Sequence, residues 1–385
     1  MVVVVFLIII GFLVLVHELG HFLVAKRNGV GAEEFGLGFP PRIAGFYRNR
    51  KKRWAWVWGN KQVQAEIKER DETVYSINAI PLGGFVKIVG EDGGSSNDPK
   101  SFSNKNAWIR FKILSAGVAM NVFFGFLLFV AAYKIGLPEA IDDENNDPRA
   151  KVQIGQVIKG SPADQLGLEI GDQVVSFNGA KIESISQLQD LIKQNAGQSV
   201  KLEIEKTGEQ KIKTIGTVLR ENAPVGEGIL GVLLVKTVLK ENSLLESIKL
   251  AFETTFGVIV SIFVFLWELI SGLFQLKPVP TEVSGPVGIA IMTGKMANLG
   301  IAYLLHFAGL LSVNLAVINF LPLPALDGGR ILFLLIEKIK GNPVNQKLEG
   351  IIHTVGFFAL LLLMFLVTIK DFSSIGWLEK ISSIF

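Results

Sequence analysis

The sequence predicts a polytopic α-helical membrane protein of about four transmembrane helices, with one inserted β-rich domain and a membrane-associated β segment. Three observations predict it. Of 385 residues, 49% are hydrophobic and only 19% charged, and the mean hydropathy is +0.43, a balance suited to helices in lipid. Apolar runs able to cross a hydrocarbon core of about 30 Å recur at 2–24, 113–133, 301–321 and 352–369. Between the second and third of these, residues 152–235 turn to alternating patterns such as Val200-Lys201-Leu202-Glu203-Ile204.

Charge and cysteine content narrow the chemistry. A net charge of +3 is too small to argue for nucleic acid, and the basic residues crowd between Lys26 and Lys112, as in a cytoplasmic loop held by the positive-inside rule. With no cysteine there are no disulfides and no thiolate sites, so a metal must rest on His, Asp or Glu.

Taken in order, 1–27 is a transmembrane helix. A cleaved signal peptide fits it poorly: no basic stretch precedes the apolar run, and Lys26 and Arg27 follow it directly. Residues 28–112 form a cytoplasmic loop containing a β-like segment, Gln62 to Val89. Within it Val74 to Val89, with Pro81 and two glycines, suits a short edge strand at the membrane. Pro81, Leu82, Gly83 and Gly84 are candidates for holding a substrate extended, because a helical substrate hides its carbonyls in its own hydrogen bonds. Residues 113–133 return the chain to the opposite side. Asp142 to Pro148, acidic and turn-rich, reads as the linker to the β-rich domain at 150–237. Residues 242–276 are apolar, yet Glu253, Glu268 and Trp267 suit an interfacial or partly inserted helix. A further span at 299–329 ends in prolines, 330–350 is a cytoplasmic connection, and 352–370 is the last span.

His17 and His21 stand four apart, which places both imidazoles on one face of a helix at the spacing a tetrahedral zinc needs. Glu18 then lies beside the metal, where a carboxylate can take a proton from water that the metal acidifies. The bland alternative, polar residues lining a bundle, is costly in lipid, where ionisable groups need partners. A third ligand comes from His306, His353 or a carboxylate. The two histidines lie on apolar segments without a companion motif, where a lone His is usually packed. Asp327 ends a transmembrane run beside Gly328-Gly329. A cation explains an acid there best; capping of the following helix is the alternative.

His17-Glu18-Leu19-Gly20-His21 and Asn319 through Gly328 together resemble the site-2 protease family, in its bacterial PDZ-containing branch. Phe35-Gly36-Leu37-Gly38-Phe39-Pro40, Ile80 to Lys87, Ser284 to Ile289 and Leu335 to Gly341 extend the resemblance over nearly the whole chain. It implies His17, His21 and Asp327 as zinc ligands, Glu18 as catalytic acid/base, and Asn319 near the bound substrate. Pro322, Pro324 and Gly328 would shape the loop beside the active site. Asp164, Gly167-Leu168, Gly171-Asp172 and Asn178-Gly179 resemble a PDZ core, giving either a peptide binder or a passive size filter. The segment Arg48 to Trp58 looks like an insertion.

The expected function is therefore intramembrane zinc-dependent proteolysis of single-pass membrane proteins in the bacterial inner membrane. The active site would lie towards the cytoplasm and the PDZ-like domain outside. By resemblance, substrates are anti-sigma factors already shortened by an upstream site-1-type protease, or remnant signal peptides. Two rival readings are a catalytically idle PDZ-containing membrane adaptor and a metal transporter. The intact HELGH argues against the first, and a single site without paired inverted halves against the second.

Overall fold

The computed structural model describes residues 2–49, 51–59, 72–91, 98–145, 147–206, 211–224, 226–275, 285–342 and 344–374. Residues 62–71 of the expected β segment, the side chain of Leu82 and Ser284 lie outside that description. Two compact units emerge: residues 1–129, 249–294 and 306–385 in one, 130–248 and 295–305 in the other.

In the first unit, helix α1 (Val2–Arg27) runs unbroken through the HELGH motif and ends on Lys26 and Arg27. Cations there complement the carbonyl end of the helix dipole. Strand β1 (Ala32–Arg48) is the middle of a three-stranded sheet, between β2 (Trp54–Trp58) and β3 (Val74–Ile88). Its residues 34–37 pair on one side with Lys87, Val86, Phe85 and Gly84, and on the other with Val74, Tyr75, Ser76 and Ile77. This doubling requires β3 to turn back at Pro81-Leu82-Gly83-Gly84, where Gly83 adopts a φ of +101° that glycine alone takes easily. A Cβ on Gly83 would stand 2.7 Å from Val14, and one on Gly84 2.9 Å from Leu15. Both glycines therefore let the strand lie against α1 one turn before His17. Of the segment Arg48 to Trp58, expected as an insertion, residues 54–58 form β2, which pairs antiparallel with residues 44–48 of β1 and leaves Trp54, Trp56 and Trp58 exposed.

Helix α2 (Ala107–Ile135) is longer than the apolar run 113–133 that announced it. Beyond the second unit come α5 (Leu244–Phe274), α6 (Pro286–Leu299), α7 (Ile301–Phe320), α8 (Asp327–Lys340) and α9 (Gln346–Ser374), while α3 and α4 belong to the β-rich domain. Among the described residues α1, α2, α5, α7 and α9 are long and apolar enough to cross a membrane. Helices α2 and α7 run in opposite directions. Ser312 Oγ donates to the Asn121 carbonyl at 2.8 Å, Gly125 lies against Gly309 and Val313, and Phe129 meets His306 at a tilt of 55° with ring centroids 5.0 Å apart. The stretch expected as a plain connection, 330–350, contains most of α8, tied by Arg330 to Glu91 and by Arg110 to Glu337.

In the second unit, a seven-stranded antiparallel sheet has the order β4-β10-β5-β6-β8-β9, with β7 off β6. The strands are β4 (Leu137–Ala140), β5 (Lys151–Val157), β6 (Gln173–Phe177), β7 (Ala180–Lys181), β8 (Ser199–Glu205), β9 (Ile212–Val218) and β10 (Val232–Lys240). Alternate residues of these strands, including Ile154, Val174, Phe177, Leu202 and Ile204, form the core with Leu188 of α4 (Ile185–Gln194). The short α3 (Pro162–Gln165) is capped by Ser161. The presumed linker is more than a tether: Asp143 accepts from the N–H groups of Ile185 and Ser186 at the start of α4, at 2.5 and 2.9 Å. Burial alone would raise the Asp143 carboxyl, but those two bonds outweigh it and hold it below the usual carboxylate range.

Candidate metal centre

The local rule that builds the site is helical periodicity. His17 and His21 lie one turn apart on α1, both buried, with Nε2 atoms 3.1 Å apart. Asp327, 310 residues further along, places Oδ2 2.9 Å from His17 Nε2 and 3.3 Å from His21 Nε2. Its carboxylate does not cap α8, whose N-cap is Leu326 without a side-chain cap bond. The capping alternative therefore falls away, because the side chain faces the imidazoles and not its own helix.

Glycine makes that approach possible. A Cβ on Gly328 would collide with the carbonyls of Phe320 and Leu321, and one on Gly329 with that of Leu323. Only bare backbone lets the start of α8 tuck under the end of α7. Asn319 sits half-buried in the last turn of α7, Pro322 is exposed and Pro324 half-buried in the irregular stretch 321–326. Neither His306 nor His353 belongs to the cluster of donors, which among the described residues consists of His17, His21 and Asp327.

Helix α2 supplies partners that the motif reading did not anticipate. His21 Nδ1 donates to the Ile113 carbonyl at 2.7 Å, which leaves Nε2 with its lone pair for a metal. Asn121 meets His17 Nδ1 at 3.4 Å, and its Oδ1 is buried without a partner. Turning that amide over gives His17 Nδ1 an acceptor. Oδ1 then accepts from a protonated Nδ1, and His17 Nε2 is likewise freed as a ligand. Gly117 lies directly against the pair: a Cβ there would stand 2.7 Å from His17 Nε2. Gly117-x-x-x-Asn121 places the space and the hydrogen bond on one face of α2, a four-residue spacing visible in the sequence but meaningless without its partner helix.

Two imidazole nitrogens and one carboxylate oxygen, each oriented by or close to a second group, fit zinc. A tetrahedral ion with bonds of about 2.0–2.1 Å keeps its ligand atoms about 3.3 Å apart, and the three distances are near that value. Glu18 stands beside the donors and not among them. Its Oε2 accepts from the Val86 N–H at 3.0 Å, on β3. Glu18, His21, Val86, Asp327 and Arg330 share the lining of one open cavity of about 440 Å³.

Comparison with known proteins decides the family. The profile of peptidase family M50 matches residues 5–58 and 59–363. The chain belongs to peptidase family M50. A relative from Clostridium perfringens is 35% identical over 359 residues, covering 93% of this chain and 95% of its own. The zinc metalloprotease RasP of Geobacillus kaustophilus is 30% identical, covering 95% of this chain and 96% of its own. The Bacillus subtilis regulator of sigma-W protease RasP is 28% identical, covering 96% and 97%. A PDZ domain of an SdrC-like protein from Listeria monocytogenes matches 24% of this chain and 93% of that domain, with 20% identity and a TM-score of 0.20. This M50 member is a zinc metallopeptidase of the membrane, and the donor set above is chemically suited to that metal.

Gly117→Ala is expected to cut the zinc content of the purified protein several-fold, because its Cβ would displace the histidine pair. Gly257→Ala, which faces open space, should keep full stoichiometry. Undiminished zinc in Gly117→Ala would remove the role assigned to that glycine.

Proposed function

We propose that the chain cleaves peptide bonds of single-pass membrane proteins within or beside the bilayer. The observation that carries this reading is the position of the site: His17, His21 and Glu18 lie on a helix long and apolar enough to span a membrane. His17, His21 and Asp327 would hold a zinc ion, which would supply Lewis-acid polarisation of the scissile carbonyl and a water acidified towards neutral pH. Glu18, with Oε2 anchored on Val86, accepts the proton of the attacking water and passes it to the nitrogen as the C–N bond breaks. His17, His21 and Asp327 are the ligand set, and Asn319 is assigned to the substrate side of the site on the resemblance of its motif.

The C-terminal half of β3 supports a route for substrate. Residues 84–87 pair with β1 along one edge, and on the other edge the Val86 N–H points to Glu18. An unwound substrate segment adding along this strand at Gly84 to Val86 would pass the catalytic carboxylate. Pro81 and Leu82 then form the turn that starts the strand, and Gly83 and Gly84 hold it against α1. The exposed apolar face carrying Leu37, Ile77, Trp54, Trp56 and Trp58 supports a membrane-associated position for this sheet.

Anti-sigma factors and remnant signal peptides are the proposed substrates; the name of the sigma-W-regulating relative favours the first. Such a substrate would need prior shortening by an upstream site-1-type protease, with the PDZ-like domain acting on chain ends or on size. Topology follows from parity. Lys26 and Arg27 favour an inner position for the end of α1. Helix α2 then leads outward, and the antiparallel α7 leads inward to Asp327. Only an even number of crossings fits between them. The 14-residue α6 is too short to cross, at about 21 Å by helical rise, so α5 is assigned as interfacial or partly inserted.

Co-expression with a panel of tagged single-pass proteins tests the activity: Glu18→Gln should retain stoichiometric zinc yet lose cleavage by at least about a hundredfold, a general-base loss. Near-normal turnover in that variant would exclude the role. Because the chain has no cysteine, single cysteines test the topology. Labels at Ser243 and Gln275, at either end of α5, should react from the same, extracytoplasmic side, and one at Asn342 from the other; opposite sides for the first two would refute the arrangement.

A further inference from the structure

The turn that delivers Asp327 is held from an unexpected quarter. Ala325, two residues before the ligand, has a φ of +72°, a left-handed conformation that a residue with a Cβ rarely takes and that its surroundings must enforce. Its N–H donates to Nδ1 of His353 at 2.9 Å, across from α9. One turn further along α9, Gly356 packs directly on Pro324, where a Cβ would stand 3.1 Å from the Pro324 carbonyl carbon and oxygen. His353 and Gly356 are three apart and share a face of the helix. The imidazole is braced from behind by Phe333 of α8, with ring centroids 5.6 Å apart.

We infer that His353 is a positioning residue for the zinc site. By accepting from Ala325 through Nδ1, with Gly356 seating Pro324, it fixes the left-handed turn that aims the Asp327 carboxylate at His17 and His21. The inference rests on Asp327 being a zinc ligand. Acceptance at Nδ1 places the imidazole proton on Nε2, which has no hydrogen-bond partner among the described residues. The two ring nitrogens thus make separable claims. Asparagine carries an acceptor oxygen near the place of Nδ1 and nothing at Nε2, whereas glutamine carries its polar atoms near Nε2 and leaves Ala325 unpaired.

The test uses the full chain purified in detergent, loaded with Co²⁺ or Zn²⁺ alone. Affinity is read by competition with a chelator, and ligand geometry by the visible absorption bands of the Co²⁺ form. His353→Gln should weaken both metals by about tenfold and shift the Co²⁺ bands, as loss of a group that orients a ligand does. His353→Asn should stay within about threefold of the unaltered protein, with its bands in place. Gly356→Ala, which pushes Pro324 without touching the imidazole, should shift the same bands, and His306→Ala, a histidine outside this turn, should not. Unchanged affinity and bands in both His353→Gln and Gly356→Ala, while Asp327→Asn disturbs them, would overturn the inference. So would rescue by glutamine but not asparagine, which would make Nε2 the working atom. If Asp327→Asn itself leaves affinity and bands unchanged, the ligand assignment is what fails.

Discussion

One cluster governs the rest of the molecule: a carboxylate at the start of α8 and two buried imidazoles on the spanning-length α1, brought within 3.3 Å of one another. A buried ionisable group among apolar helices carries a desolvation cost and needs partners. Nothing apolar nearby repays that; a divalent cation does. The cost also explains why polar groups around the cluster are partnered, with Ile113 on one imidazole, Asn121 on the other and Val86 on Glu18.

Small residues let these polar groups meet. Gly20 rests on Ala116 and Gly117 where α1 crosses α2, Gly328 and Gly329 lie under the carbonyls that end α7, and Gly83 and Gly84 bring β3 onto α1. Each is a place where a side chain would hold two backbones apart by more than a hydrogen bond tolerates. The site therefore draws on α1, α2, the α7–α8 junction and β3 together, and among the described residues its ligands are His17, His21 and Asp327.

How much of this was legible beforehand depended on range. His17, Glu18 and His21 declared themselves because their relation is local, a single helical turn. Asp327 was legible as an acid beside glycines at the end of an apolar run, although only the fold shows that it faces the histidines and does not cap α8. The contributions of Gly117, Asn121 and Val86 depend on which helix or strand lies opposite, and no periodicity in one segment states that. His353 shows the same limit: a lone histidine on an apolar helix reads as packing, and its bond to Ala325 exists only because an alanine has been forced into a left-handed turn. The linker at Asp142 to Pro148 was underestimated for a related reason, since a carboxylate in a turn gives no hint that the start of a distant helix will use it.

The central claim, that one carboxylate and two imidazoles hold the metal, is tested most directly by X-ray absorption at the zinc edge on the full-length protein in lipid nanodiscs. The account predicts a four-coordinate ion with two imidazole nitrogens and oxygen ligands, all at about 2.0–2.1 Å. A spectrum requiring three or more imidazoles would contradict it, because the third could come only from His306 or His353, the other two histidines of this sequence.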